Sequence, residues 1–149
     1  MKISVVIPCY RSEHTLKSVL DELQSILKTR PEYTYEIILV NDCSPDGVQN
    51  VIEEYTKTAP FIKAVQFTKN FGQHSALMAG YRECTGDIIV SMDDDGQTPV
   101  DAIFPLIDKL GDGFDVVMAA YGKNEHSLFR KLGSAINKLM ARSLIGMPR

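Results

Sequence analysis

The run Asp87-Ile88-Ile89-Val90-Ser91-Met92-Asp93-Asp94-Asp95-Gly96-Gln97 decides how this chain is read. Its first half is a short apolar stretch of strand-forming character, and it empties directly into three adjacent carboxylates. Three acids in a row repel one another unless solvent or a cation offsets them. Asp93 and Asp95 flank a single residue and can converge on one hard cation, to which Gln97 can add an amide oxygen. An oxygen-only donor set suits Mg²⁺ or Mn²⁺ rather than zinc. A metal held by so few protein groups keeps waters and takes further ligands from substrate phosphates. A solvated acidic turn at a strand end would look the same in isolation, so the rest of the chain has to decide.

Outward from this junction, strand-like and helix-like periods alternate. Ile3 to Pro8 and Glu36 to Val40 are continuous apolar runs, as strands buried on both faces require. Ile62 to Phe67 gives a third strand, the run into Asp93 a fourth, and Phe114 to Ala120 a fifth. Between them Leu16, Val19, Leu20, Leu23, Ile26 and Leu27 form a helical stripe with Ser12 available as N-cap. Val48, Val51, Ile52 and Tyr55 mark a second helix after the turn Asn41-Asp42-Cys43-Ser44-Pro45-Asp46-Gly47. Leu77, Gly80, Tyr81 and Cys84 give a weaker third helix.

In the fourth helix Thr98 is the expected cap and Pro99 the first helical residue. Ile103, Phe104, Ile107 and Leu110 form its buried face, and Pro105 should bend or restart it. A last helix, roughly Ser127 to Ile145, places Arg130, Lys131, Lys138 and Arg142 beside an apolar stripe of Leu128, Leu132, Ile136, Leu139 and Met140. Such a basic amphipathic helix suits packing on its own sheet with a solvated basic face, or contact with an anionic membrane surface. Left uncovered, its apolar face would drive self-association.

Strand and helix alternating in this way argue an α/β layer structure with a mainly parallel sheet. In such sheets ligands bind beyond the C-terminal ends of the strands. Pro8-Cys9-Tyr10, Asn41-Asp42, Lys69-Asn70 and the acidic triplet all fall at those ends. That shared placement turns the acidic turn into a candidate site.

Composition narrows the classes. The chain has 149 residues, the size of one domain, with 44% hydrophobic and 23% charged residues, as in a soluble globular protein. A net charge of −3 offers no general basic field for nucleic acid. No apolar stretch reaches the roughly 18 residues of a membrane span. Cys9, Cys43 and Cys84 are odd in number and widely spaced, which suits reduced thiols in a cytoplasmic compartment rather than disulfides or zinc. The first turn, Pro8-Cys9-Tyr10-Arg11-Ser12-Glu13, carries no GxGxxG, and no GxxxxGK[ST] loop is present. His14, His74 and His126 lack metal-ligand spacing.

Ile3-Ser4-Val5-Val6-Ile7-Pro8-Cys9-Tyr10, Leu39-Val40-Asn41-Asp42-Cys43-Ser44-Pro45-Asp46-Gly47 and the Asp93-Asp94-Asp95 block together resemble the inverting family 2 glycosyltransferases. Asn70-Phe71-Gly72-Gln73-His74-Ser75-Ala76-Leu77 and the spacing of Asp93, Asp95 and Gln97 are most similar to the branch that transfers sugars to polyprenyl or dolichyl phosphates. The resemblance implies a GT-A (nucleotide-diphospho-sugar transferase) fold, a mainly parallel Rossmann-like sheet flanked by helices. It also implies that residues 1–149 are the donor-binding portion of one catalytic domain, with the acceptor-side segment and any membrane region absent. The full-length protein would then act in the cytoplasm at the inner face of the membrane.

By the same resemblance the donor is a nucleotide-diphosphate sugar, uridine-linked, and the acceptor a polyprenyl phosphate or a cell-surface glycan. Pro8, Tyr10 and Glu13 would line the nucleoside pocket, and Asp42 would accept a hydrogen bond from the base. Lys69 would oppose phosphate charge, and Gly72 would allow close backbone approach. Asp95 with Gln97 is the implied metal grip and Asp93 a metal or ribose contact, with Asp94 contributing mainly its backbone. Two departures stand out: Arg11-Ser12-Glu13 replaces the family's Asn-Glu, and Lys123 stands near where many lipid-phosphate transferases carry an arginine. A non-catalytic nucleotide-binding or scaffolding module of the same fold is the alternative.

Overall fold

The computed structural model describes residues 1–120. In order along the chain it contains β1 (Lys2–Cys9), α1 (Leu16–Leu27), β2 (Thr34–Asn41), α2 (Val48–Thr58), β3 (Ile62–Gln66), α3 (Gln73–Glu83) and β4 (Ile88–Ser91). A 3-10 turn at Val100–Ala102 then leads into α4 (Ile103–Leu110). Residues Met1–Val117 make one compact unit.

The strands pair in parallel in the order β3-β2-β1-β4. Central β1 is hydrogen-bonded on both sides, with Val5 opposite Ile37 of β2 and Val90 of β4. Its unbroken apolar run follows from that position, since both of its faces are covered. Ile3, Val5, Ile7 and Cys9 join the core beneath α1, α2 and α4, while Val6 meets Ile38, Val40 and Ala76 on the α3 side. Leu16, Leu20 and Leu23 of α1 are fully buried, and each contributes about 1.5–3 kcal/mol by leaving water. At the other end of the sheet from the strand-end loops, the buried Glu36 carboxylate accepts hydrogen bonds from the Ser4 hydroxyl at 2.6 Å and the Thr85 amide at 2.6 Å. It also pairs with Lys2 at 2.9 Å and Lys63 at 3.0 Å.

Four local expectations are corrected. Phe114 to Ala120 is not a fifth strand: it pairs with no described strand, and Phe114 and Val116 are exposed. Strand propensity is realised through pairing and burial, and the described residues supply no pairing there. Ser12 does not cap α1 with its side chain; Thr15 occupies the N-cap position, while the Ser12 carbonyl accepts the Thr15 and Leu16 amides. Pro99 is extended (φ −62°, ψ 114°) and precedes the 3-10 turn, so neither Thr98 as cap nor Pro99 as first helical residue holds. The restart falls at Ile103, after the 3-10 turn, and not at Pro105. The α-helix begins at Ile103, which puts Pro105 in the first turn, where a missing N–H costs no helical bond. The expected helix from Ser127 to Ile145, and Lys123, lie outside the described residues.

Candidate functional site

The chain steps outward from β1 to β2 to β3, then returns to place β4 on the opposite side of β1. Strand order therefore reverses between β1 and β4, and a crevice opens beyond their C-terminal ends. An open cleft of about 490 Å³ lies there. Pro8, Cys9 and Tyr10 line it from the end of β1, Asp42 from beyond β2, and Asn70, Gly72 and Gln73 from the loop into α3. The fourth wall is Asp93, Asp94 and Asp95.

The three acids are not equivalent. Asp94 turns inward, where its carboxylate accepts the Tyr10 amide at 3.0 Å and its carbonyl accepts the Thr15 hydroxyl at 2.7 Å. Burial raises the affinity of Asp94 for its proton, against the Tyr10 amide and the neighbouring Ser12 hydroxyl, which favour the charged form. The Ser12 hydroxyl is buried beside it and makes no hydrogen bond of full geometry among the described residues. Asp93 is exposed, with one oxygen accepting the Gln73 side-chain amide at 2.8 Å. Asp95 is exposed too, and one oxygen takes the Gln97 backbone amide at 2.8 Å, an Asx-type turn supported by Gly96 at φ +72°.

Asp42 is 3% exposed and uses both oxygens as a clamp, accepting the Phe71 amide at 2.7 Å and the Gly72 amide at 2.8 Å. Gly72 sits at φ +87°, a conformation that favours glycine, and it is the N-cap of α3. Sequence reading placed Asp42 at the cleft; that it also holds the opposite wall is visible only in three dimensions.

The loops after β1 and β2 each carry a non-glycine residue at positive φ, Arg11 at 58° and Cys43 at 52°. They are laced together. The Arg11 amide donates to the Ser44 hydroxyl at 2.7 Å, the Glu13 amide to Asp46 at 2.9 Å, and the Gly47 amide to the Glu13 carboxylate at 2.9 Å. The Arg11 guanidinium lies 5.5 Å from the centre of the Tyr10 ring, which is 42% exposed at the cleft mouth.

Pro8, Tyr10, Asp42, Gly72, Asp93, Asp94 and Asp95 are thus brought together. Three expected residues stand apart from the cleft lining. Glu13 is spent on the start of α2, Lys69 lies over the Phe71 ring at 4.8 Å from its centre, and Gln97 is exposed beyond Asp95. Cys9, Asn70 and Gln73 line the cleft without having been assigned a role from sequence. Burial, then the nearby Asp94 charge, push the Cys9 thiol well up, so it is an inert wall group. Among the described residues no three His, Cys, Asp or Glu side chains close into a metal cage.

Residues 4–145 match the family model described as Glycosyl transferase family 2. An undecaprenyl-phosphate 4-deoxy-4-formamido-L-arabinose transferase from Pseudomonas fluorescens is 35% identical over 147 residues, which are 97% of this chain and 43% of the relative. The chain therefore spans less than half the length of that curated relative. Mannosyltransferase PcManGT from Pyrobaculum calidifontis, solved with GDP-Man and Mn²⁺, has a TM-score of 0.59 at 25% identity, over 68% of this chain and 30% of that one. A fragment of S. aureus TarS in complex with UDP gives a TM-score of 0.53 at 25% identity, over 73% of this chain and 32% of that one.

Proposed function

The chain belongs to glycosyl transferase family 2, and from that premise we propose that its cleft is the donor site of an inverting transferase using a nucleotide-diphosphate sugar. The observation that carries this reading is the acidic triplet facing Tyr10 and Asp42 across the β1/β4 switch point. In this reading Pro8 and Tyr10 hold the nucleoside, the exposed tyrosine ring offering a stacking face. Each Asp42 oxygen holds one backbone amide and keeps a lone pair for the base.

The donor set suits a hard divalent cation. Asp93 and Asp95 are exposed at the cleft, each has one oxygen engaged by a neutral donor, and neither forms an ion pair among the described residues. Their charge is left for an external cation to balance. Asp95 and Asp93 would hold Mg²⁺ or Mn²⁺, with water and diphosphate oxygens completing the shell. Such an ion would neutralise the diphosphate as it leaves. The Mn²⁺ in the mannosyltransferase structure supports a divalent metal, and the UDP in the TarS structure supports a uridine nucleotide.

The name of the Pseudomonas fluorescens relative supports an undecaprenyl or similar polyprenyl phosphate as acceptor. An acceptor that is already an anion needs little help from a general base. A lipid acceptor in turn supports placing the whole protein at the inner face of a membrane. Among the described residues no helix is long and apolar enough to cross one.

Calorimetric titration with UDP and GDP, with and without Mn²⁺, tests this reading. UDP should bind more tightly with Mn²⁺ present, and Asp95→Asn should remove at least about tenfold of that gain, as loss of a charged ligand predicts. A wild-type protein without metal-dependent nucleotide binding, or an Asp95→Asn variant that matches it, would sink the proposal.

A further inference from the structure

We propose that Gln73 is a positioning residue that fixes Asp93 for cation and diphosphate binding, an assignment that rests on the donor-site reading above. Gln73 is the first residue of α3, and its side-chain nitrogen donates to Asp93 Oδ1 at 2.8 Å. A carboxylate partner settles which end of the carboxamide faces Asp93, because two oxygens would repel.

The backbone that carries Gln73 is held from both sides. The Asp42 carboxylate takes the Phe71 and Gly72 amides, and the Gly72 carbonyl accepts the Ser75 and Ala76 amides at 3.0 and 3.1 Å. Gln73 therefore reaches Asp93 from the start of α3, on backbone anchored to Asp42 just beyond β2. Asp93 by contrast is exposed at a strand end, and Gln73 is its one side-chain partner among the described residues.

An exposed carboxylate loses rotamer freedom when it binds a ligand, and a prior hydrogen bond lowers that cost. A neutral donor suits the task better than lysine or arginine would. It orients Asp93 and occupies Oδ1 while leaving the full negative charge, and Oδ2, for the cation. A basic residue in its place would compete with the metal.

Two measurements on the whole chain test the assignment. In ¹H–¹⁵N spectra the Gln73 side-chain amide signal should shift in Asp93→Asn, with no ligand present. In Mn²⁺-dependent UDP titrations Gln73→Ala should bind about fivefold more weakly, the scale of one partly solvated hydrogen bond to a charged group. UDP affinity without Mn²⁺ should stay at the wild-type value, which a merely structural role would not preserve. Within an Asp93→Asn background Gln73→Ala should change Mn²⁺-dependent affinity by less than about twofold, because its effect runs through Asp93.

The assignment is overturned if Gln73→Ala matches wild type, if affinity falls equally without metal, or if the two substitutions act independently. A wild-type protein with no Mn²⁺-dependent UDP binding overturns the donor-site reading and this assignment together. Failure of Gln73 alone leaves wild-type binding intact, so the two failures are told apart.

Discussion

The Tyr10 amide donates to the Asp94 carboxylate at 3.0 Å, joining two strand-end loops that lie 84 positions apart in sequence. With the Thr15 hydroxyl on the Asp94 carbonyl, this bond sets the acidic loop against the turn after β1. The middle acid is thus the one that shapes the cleft, leaving its neighbours free to face a ligand.

Asp94→Ala should therefore destabilise the fold by about 1 kcal/mol, the worth of the lost hydrogen bond from the Tyr10 amide. Asp94→Asn keeps an oxygen that can accept from Tyr10, and should recover most of that loss. Urea midpoints for the two variants check this, and equal losses would show that charge rather than the hydrogen bond matters.

Glu36 governs acid sensitivity. Burial alone would raise its pKa, but the Ser4 hydroxyl, the Thr85 amide and the two lysines outweigh burial and lower it strongly. A carboxylate whose folded pKa lies below its unfolded value of about 4.3 adds stability above that value. The gain disappears as pH falls toward the folded pKa. Stability should thus decline below about pH 4–5, and Glu36→Gln should flatten that decline. At pH 7, Glu36→Ala should cost about 2–3 kcal/mol, chiefly from the unpaired Ser4 and Thr85 groups, since both lysines can turn to water. Denaturation curves across pH read both effects.

Glu13 separates two roles. Its carboxylate binds the Gly47 amide at 2.9 Å, at the N-cap of α2. Glu13→Ala should lower stability by about 1 kcal/mol, as loss of a helix-start partner does, while UDP affinity changes by less than about twofold. A larger drop in affinity than in stability would return Glu13 to the nucleoside pocket.

Gly80 reports on the α3–sheet contact. A Cβ there would overlap Val6 and lie 3.2 Å from Val40 Cγ2. Alanine normally favours a helix over glycine by about 1 kcal/mol, yet overpacking costs about 1–3 kcal/mol. Gly80→Ala should accordingly be neutral to destabilising, and a stabilised variant by thermal melting would mean α3 can move away from β1.

Four strands, the four described helices and the end of the sheet where the candidate cleft opens were legible in the sequence. Each is written in local burial periodicity. Ile3 to Pro8 reads as a strand buried on both faces because it is a continuous apolar run, and the structure buries every residue of it; Asp42 and Asp93 follow strands whose direction the parallel pattern implies. Phe114 to Ala120 misled because its apolar residues looked like a strand, and pattern does not say whether a pairing partner exists.

What the sequence by itself determined, then, was the α/β alternation, the family and a set of polar residues at strand ends. The tertiary structure alone decided which of them meet: Asp94 with Tyr10, Gln73 with Asp93, Asp42 with the Phe71 and Gly72 amides, and Glu13 with Gly47 rather than with the cleft. The physical reason is the range of the forces involved. Burial periodicity is repeated over every few residues and survives in the linear text. A hydrogen bond between loops 20 to 84 positions apart depends on strand order and on turns such as Arg11 and Cys43 at positive φ, which no residue type announces.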